Sequence, residues 1–167
     1  EKALKDGVHS LLDFDGAIMT DSGTFQAYLY RDVEIDPLAI VRFQSQIGSD
    51  IGTILDVFSQ PDSRKEDVEK DVAETIRRAK DSVQFKGKMA LACTVQGGTY
   101  TDIREDCARA LSELDCELHP IGGVVPLMEN YRFRDIADII IASKKGLIPS
   151  RPVHLFGAGH PLIFPLA

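Results

Sequence analysis

Long apolar runs are missing from this sequence. No stretch approaches the ~18 consecutive apolar residues that a membrane-spanning helix needs, so no membrane partner is expected. The opening residues, Glu1-Lys2-Ala3-Leu4-Lys5-Asp6, lack the apolar core of a signal peptide. They also lack an initiating Met, which fits a piece excised from something longer. Cysteine is scarce and unpaired in pattern: Cys93, Cys107 and Cys116 share no C-x-x-C spacing. Structural zinc favours close pairs of Cys or His, so no metal ligand set is expected here. The expectation is three reduced thiols in a cytoplasmic protein.

Positive charge is also in deficit. Nineteen Lys and Arg face 26 Asp and Glu, a formal net charge of -7. Nucleic-acid phosphates favour basic partners, so the total alone argues against RNA. The distribution is uneven, however. Between Asn130 and Arg151 stand Arg132, Arg134, Lys144, Lys145 and Arg151 against Asp135 and Asp138. A local basic face is one reading; a solvated helix surface is the other.

What remains is ordinary globular composition, 44% hydrophobic and 27% charged over 167 residues. That suffices for one domain, 1–167, with a real core. The chain reads as strand, loop and helix in repetition. Ala17-Ile18-Met19 is a short apolar run that ends in the loop signal Asp21-Ser22-Gly23. Asp36-Pro37 reads as an N-cap with Pro at the first helical position, and that helix should end at Gly48. A strand over 51–57 follows. Ser63 and Glu66 have capping-box spacing ahead of a helix whose apolar face is Val68, Val72, Ile76, Ala79 and Val83. Strands are expected again over 89–95, 118–121 and 153–156. Between them lie a helix faced by Ile103, Cys107, Ala110, Leu111 and Leu114, and one over 133–143 closed by Gly146.

Five strands alternating with helices argue for a parallel α/β fold. A doubly wound sheet and a stretch of a (β/α)8 barrel both fit. Asp21, Asp56, Gln96, Gly123 and Gly157 all fall at the C-terminal ends of strands, where a barrel builds its site. No G-x-G-x-x-G follows the first strand, which weakens a dinucleotide reading. The expected fold is therefore a partial (β/α)8 barrel of about five β/α units.

The polar groups at those strand ends suit a guanine-like ring. Guanine offers N1–H and an exocyclic amine beside the O6 acceptor. A carboxylate such as Asp56 can accept from both donors, and an amide such as Gln96 or a Gly123 backbone N–H can donate to O6. Phe25 can supply a stacking face. Each residue alone has a plainer reading: Asp21-Ser22-Gly23 as a turn, Asp56 as a cap, Phe25 as core. His119, His154 and His160 read as core or loop histidines.

The combination resembles the tRNA-guanine transglycosylase family. Thr20-Asp21-Ser22-Gly23-Thr24-Phe25-Gln26 is similar to that family's TDSG-aromatic-Q motif. The segments 48–56, 94–100, 119–126 and 151–161 resemble its further strand-end motifs, in order along the whole chain. Their form resembles the archaeal, archaeosine-forming branch. The resemblance implies a (β/α)8 barrel that exchanges guanine-15 in the tRNA D-loop for the nitrile-bearing 7-deazaguanine preQ0, by double displacement through an aspartate bonded to C1′. It implies that Asp21 is the general acid/base, with Ser22 beside it. Phe25 stacks on the base, Asp56 reads its donor edge, and Gln96 and Gly123 read O6. Val124 and Val125 line the space for the 7-substituent. It further implies that the covalent aspartate, the family's zinc site and its C-terminal RNA-binding domains lie beyond Ala167. No cofactor is then held within the chain, which alone should be inactive. The partners implied are tRNA, preQ0 or guanine, and a homodimer mate or complementing chain. A noncatalytic homologue or subunit that binds base or tRNA, or a preQ0-tRNA-modifying relative, is the alternative.

Overall fold

A computed structural model describes residues 1–30 and 35–166. Among them are five short strands, β1 (Met19–Thr20), β2 (Ile51–Thr53), β3 (Ala90–Ala92), β4 (His119–Ile121) and β5 (Val153–Leu155), which all pair in parallel. Two ladders are formed, β1-β2-β3 and β4-β5. Parallel bridges Ala92 to Leu118 and Val95 to Ile121 join them, so neighbours in sequence are neighbours in space. The strand order does not reverse along this run. The architecture is α/β with parallel strands, as expected.

Eight α-helices accompany the strands among the described residues. Two short ones, α1 (Lys2–Asp6) and α2 (Val8–Leu12), precede β1. Next come α3 (Thr24–Tyr30), α4 (Pro37–Gln46), α5 (Lys65–Ser82), α6 (Thr101–Ser112), α7 (Val124–Glu129) and α8 (Phe133–Gly146). The Asp36 side chain accepts from the Leu38 amide at 2.9 Å and Pro37 opens α4, as the sequence predicts. Gln44 on that helix is buried and ties β1 to β2. Its Oε1 accepts from the Thr53 amide at 3.0 Å and the Thr20 hydroxyl at 2.8 Å. Its amide donates to the Thr53 carbonyl at 2.9 Å.

One apolar core lies between β2, β3 and helices α4, α5 and α6, centred on Val41, Ile54, Val68, Leu91 and Leu111. A second gathers Ile121, Val124, Leu127, Ile136, Ile139 and Ile163 around β4, α7 and α8.

Several expectations are corrected. Cys93 and Cys116 are joined in a disulfide, and only Cys107, buried on α6, is free among the described residues. Parallel pairing of the segment after β3 with the segment before β4 brings the two cysteines together, a proximity that spacing in the chain does not reveal. Ser63 does not cap α5, whose N-cap is Arg64 without a side-chain bond. Instead the Ser63 carbonyl accepts from the Tyr100 hydroxyl at 3.0 Å, and Arg64 pairs with Asp67 at 2.8 Å. The second strand is shorter than 51–57. Beyond Ile54 the chain leaves the ladder, and the Val57 amide donates to the Thr75 hydroxyl at 2.9 Å rather than to a neighbouring strand. Gly146 does not end α8 as a cap but lies inside its last turn, where α6 and α8 touch.

Candidate active site

The C-terminal ends of the five strands surround one cavity of about 200 Å3. Ligand pockets for drug-sized molecules run ~300–1,000 Å3, so this one suits a single small ring system. Its walls bring together Asp21 from the end of β1, Phe25 from α3, Asp56 beyond β2, Gln96 beyond β3 and the Gly123-Val124-Val125 turn beyond β4. Ser22 is the exception among the expected site residues. It is buried beside the cavity, where its amide donates to the Thr53 hydroxyl at 2.7 Å.

Asp56 and Gln96 are both buried and in contact: the Gln96 amide donates to Asp56 Oδ2 at 2.6 Å. Burial pushes the Asp56 carboxyl above its ordinary range, against the hydrogen bonds from Gln96 and Thr24 that pull it down. Gln96 Oε1 and Thr94 Oγ1 are buried and without a partner among the described residues. Buried polar atoms are normally satisfied, and these two belong to residues of the cavity wall. Asp21 is exposed at the mouth, where its Oδ1 accepts from the Gly23 amide at 3.2 Å.

The aromatic wall is larger than the sequence suggested. Phe25 stands edge-on to Phe58 at 5.8 Å and lies near-parallel to Tyr28 at 6.4 Å. Phe156, at the end of β5, lines the cavity with Phe25 and Phe58. Sequence reasoning missed Phe58, Thr94 and Phe156 as wall residues. Phe156 precedes Gly157 at a strand end, the same kind of place that drew attention to Gln96.

Val124 is shared between the cavity wall and the second core. Val125 is half-buried and packs on Gly157, whose Cβ, if it had one, would stand 2.3 Å from Val125 Cγ2. Residue 157 must therefore be Gly for the two loops to meet. Gly123 has φ 75°, a left-handed conformation that glycine adopts without strain.

The family model for queuine tRNA-ribosyltransferase matches residues 1–167. The chain belongs to the queuine tRNA-ribosyltransferase family. That bears out the resemblance drawn from the motifs. It is 54% identical over 167 residues to a tRNA-guanine(15) transglycosylase of Methanopyrus kandleri, covering all of this chain and 36% of that protein. Against the protein of the same name in Pyrococcus furiosus it is 55% identical, covering 28% of that protein. Against that of Methanocaldococcus jannaschii it is 50% identical, covering 26%. The chain thus spans about a quarter to a third of these relatives.

Within this family member the basic residues divide between two faces. Arg132, ahead of α8, pairs with Asp62 in the loop after β2 at 2.7 Å and with Asp135 at 2.6 Å. Lys144 and Lys145 lie in the last turn of α8. That end packs on the last turn of α6, since Ser112 Oγ donates to the Gly146 carbonyl at 3.2 Å. It leads into the N-terminal end of β5, away from the cavity. His119 is fully buried between the Cys93 carbonyl and Arg151, each at 3.4 Å, and burial lowers its pKa. It is a core histidine, as expected. Among the described residues no group of His, Cys, Asp and Glu could hold a metal ion. No helix among them is long and apolar enough to cross a membrane.

Proposed function

We propose that this chain carries the base-recognition part of a tRNA-guanine(15) transglycosylase, which exchanges guanine-15 of tRNA for preQ0. The observation that carries the reading is the buried Asp56–Gln96 pair in a small cavity walled by Phe25 and Phe156. Its carboxylate matches the N1–H and amine edge of a guanine ring, and the two Phe side chains offer apolar faces to a flat heterocycle. Val124 and Val125 line the side where a 7-substituent would lie.

The parallel, sequential strand order supports an arc of a (β/α)8 barrel, because a doubly wound sheet would reverse direction at a switch point. A site at the C-terminal strand ends fits the same architecture. Both β1 and β5 have one edge unpaired among the described residues. An open arc therefore calls for further strands, from the rest of a longer polypeptide or from a complementing chain.

The exchange balances as two displacements. A carboxylate forms a bond to C1′ of the target ribose while the C1′–N9 bond breaks. The electron pair leaves with guanine, which takes a proton. The incoming base then attacks C1′ through N9, loses its own proton and expels the carboxylate. We assign the proton steps to Asp21, which is exposed at the mouth of the cavity. The attacking carboxylate is assigned to an aspartate outside this chain. The partners proposed are tRNA and guanine or preQ0, with work in the cytoplasm.

Calorimetry with guanine tests the pocket. The intact protein should bind guanine, and Asp56→Asn should weaken it by about 10- to 100-fold, the cost of leaving buried donors unpaired. Equal affinity in the two proteins would refute the assignment. Labelled guanine should enter unmodified tRNA once the chain is completed by the part that carries the attacking aspartate, and not when that complete protein carries Asp21→Asn.

A further inference from the structure

Arg104 is the largest fully buried side chain in the molecule's described part, yet it is a cation. Its Nε donates to the Gly98 carbonyl at 2.9 Å, and its Nη1 to the Val95 and Gly122 carbonyls, each at 2.9 Å. Among the described residues all its hydrogen-bond partners are backbone carbonyls. Burial draws the guanidinium down to about 10, so it stays charged at neutral pH. Asp56 is near enough to favour the charge electrostatically, yet no carboxylate among the described residues hydrogen-bonds to it, and a buried charge held only by carbonyls is costly. Something about these three carbonyls must be worth holding.

They belong to the two loops that build the far wall of the cavity. Val95 and Gly98 flank the Gln96-Gly97 segment beyond β3. Gly122 begins the turn beyond β4. Packing is tight around the guanidinium: a Cβ on Gly123 would stand 3.0 Å from Arg104 Nη2. One on Gly122 would stand 2.4 Å from Gln96 Nε2. The arginine therefore clamps one loop against the other.

The clamp also sets a peptide orientation. In a trans peptide the C=O of one residue and the N–H of the next point in opposite directions. With the Gly122 carbonyl held by Arg104, the Gly123 N–H is turned away from the guanidinium. Gly123 lines the cavity and Arg104 does not. We propose that Arg104 is a positioning residue for base exchange, which holds the Gly122 carbonyl so that the Gly123 N–H meets the 6-oxo group of a purine in the pocket. This rests on the pocket taking a guanine-like base. Arg104 touches no substrate; it acts through the Gly122–Gly123 peptide. A planar fork is needed because three carbonyls must be held at once, and a lysine ammonium lacks that geometry.

The test compares guanine with 6-thioguanine, which keeps N1–H and the amine but offers a weak sulfur acceptor. Calorimetry on the intact protein and on Arg104→Lys reads both affinities. Guanine binding should fall by about tenfold, and 6-thioguanine binding by much less, so that the preference for the 6-oxo base shrinks. An equal loss for both bases would mean a general structural role and would overturn the proposal. Failure of the unaltered protein to bind guanine would overturn the proposed function and this inference with it. Unaltered guanine binding with an unchanged preference in Arg104→Lys would overturn this inference alone. Should Arg104→Lys fail to fold, amide hydrogen exchange on the unaltered protein decides. Guanine should slow exchange at Gly123 more than 6-thioguanine does, and a Gly123 amide indifferent to bound guanine would overturn the proposal.

Discussion

The side-chain amide of Gln96 reaches across 2.6 Å to Asp56 Oδ2, joining the ends of two strands inside one cavity. The pair sets the electrostatics of the pocket. Burial raises the Asp56 carboxyl, and the Gln96 donor only partly opposes that rise. A carboxyl whose folded pKa lies above its unfolded value binds its proton more tightly in the native state. Stability then falls as pH rises from the unfolded value through the folded one. Asp56→Asn removes that ionisation. The variant should melt above the unaltered protein at pH 7, and the gap should close toward pH ~3, below the ordinary Asp value. Melting curves across that range check it. A gap that widens on acidification would mean that Asp56 is stabilised as the anion.

The Cys93–Cys116 disulfide makes a thermodynamic and a chemical prediction. It closes a loop spanning 23 positions, for which loop-closure entropy gives about 3 kcal/mol of stabilisation. Thiol titration of the denatured, unreduced protein should find one reactive cysteine, Cys107, and three after reduction. Reduction should lower the urea midpoint correspondingly. Three free thiols without reductant would refute the bond.

Much of this was legible in the sequence, for physical reasons that particular residues make plain. Asp36-Pro37 carries a whole helix start within two residues, so α4 could be placed. Apolar spacing placed α5, because Val68, Val72 and Ala79 are buried along one stripe. The polar groups at strand ends could be picked out because the short strands close on loop signals such as Asp21-Ser22-Gly23, Gln96-Gly97-Gly98 and Gly122-Gly123. Arg104 was not legible as a site residue, although a trace of it exists. It lies on the same helical stripe as Cys107, Ala108 and Leu111, three, four and seven positions on. A cation on an apolar stripe is the signal, and apolar patterning passes over it. The disulfide was invisible because it depends on which strands are neighbours. Short strands ended early for a similar reason: apolar runs do not show where side chains such as Thr75 take over the backbone bonds.

Gly146 reads in the sequence as a helix stop and in the structure as a contact point. A Cβ there would stand 2.3 Å from the Glu105 carbonyl oxygen and 2.8 Å from Ala108 Cβ. Backbone cannot step aside as a flexible side chain can, so α8 would have to move off α6. Gly146→Ala should destabilise by about 1–3 kcal/mol, the usual cost of overpacking. The helix-propensity gain of Ala over Gly, about 1 kcal/mol, offsets part of this. A thermal midpoint unchanged or raised would show that the helices have room to part.

The basic residues that tempt an RNA reading do not act together. Lys144 and Lys145 end α8 on the side where strands begin, whereas the cavity opens where strands end. On the proposed function, a tRNA whose target base enters that cavity would meet the face opposite these lysines. Arg134, at the start of α8, is largely exposed, with only a long 3.9 Å pairing to Asp138. Arg132 is held by Asp62 and Asp135, so its charge is already partly neutralised. Removing a cation that neutralises one phosphate should reduce the slope of log affinity against log salt by about 1. Replacing Lys144 and Lys145 together with Ala should therefore leave the salt slope of tRNA binding where it was. Arg134→Ala should lower it by about 1 at most. Filter binding of tRNA to the intact protein over a range of salt measures both. A reduced slope in the double lysine variant alone would put the RNA path along the strand-start face, and would separate RNA binding from the cavity that Asp56 and Gln96 define.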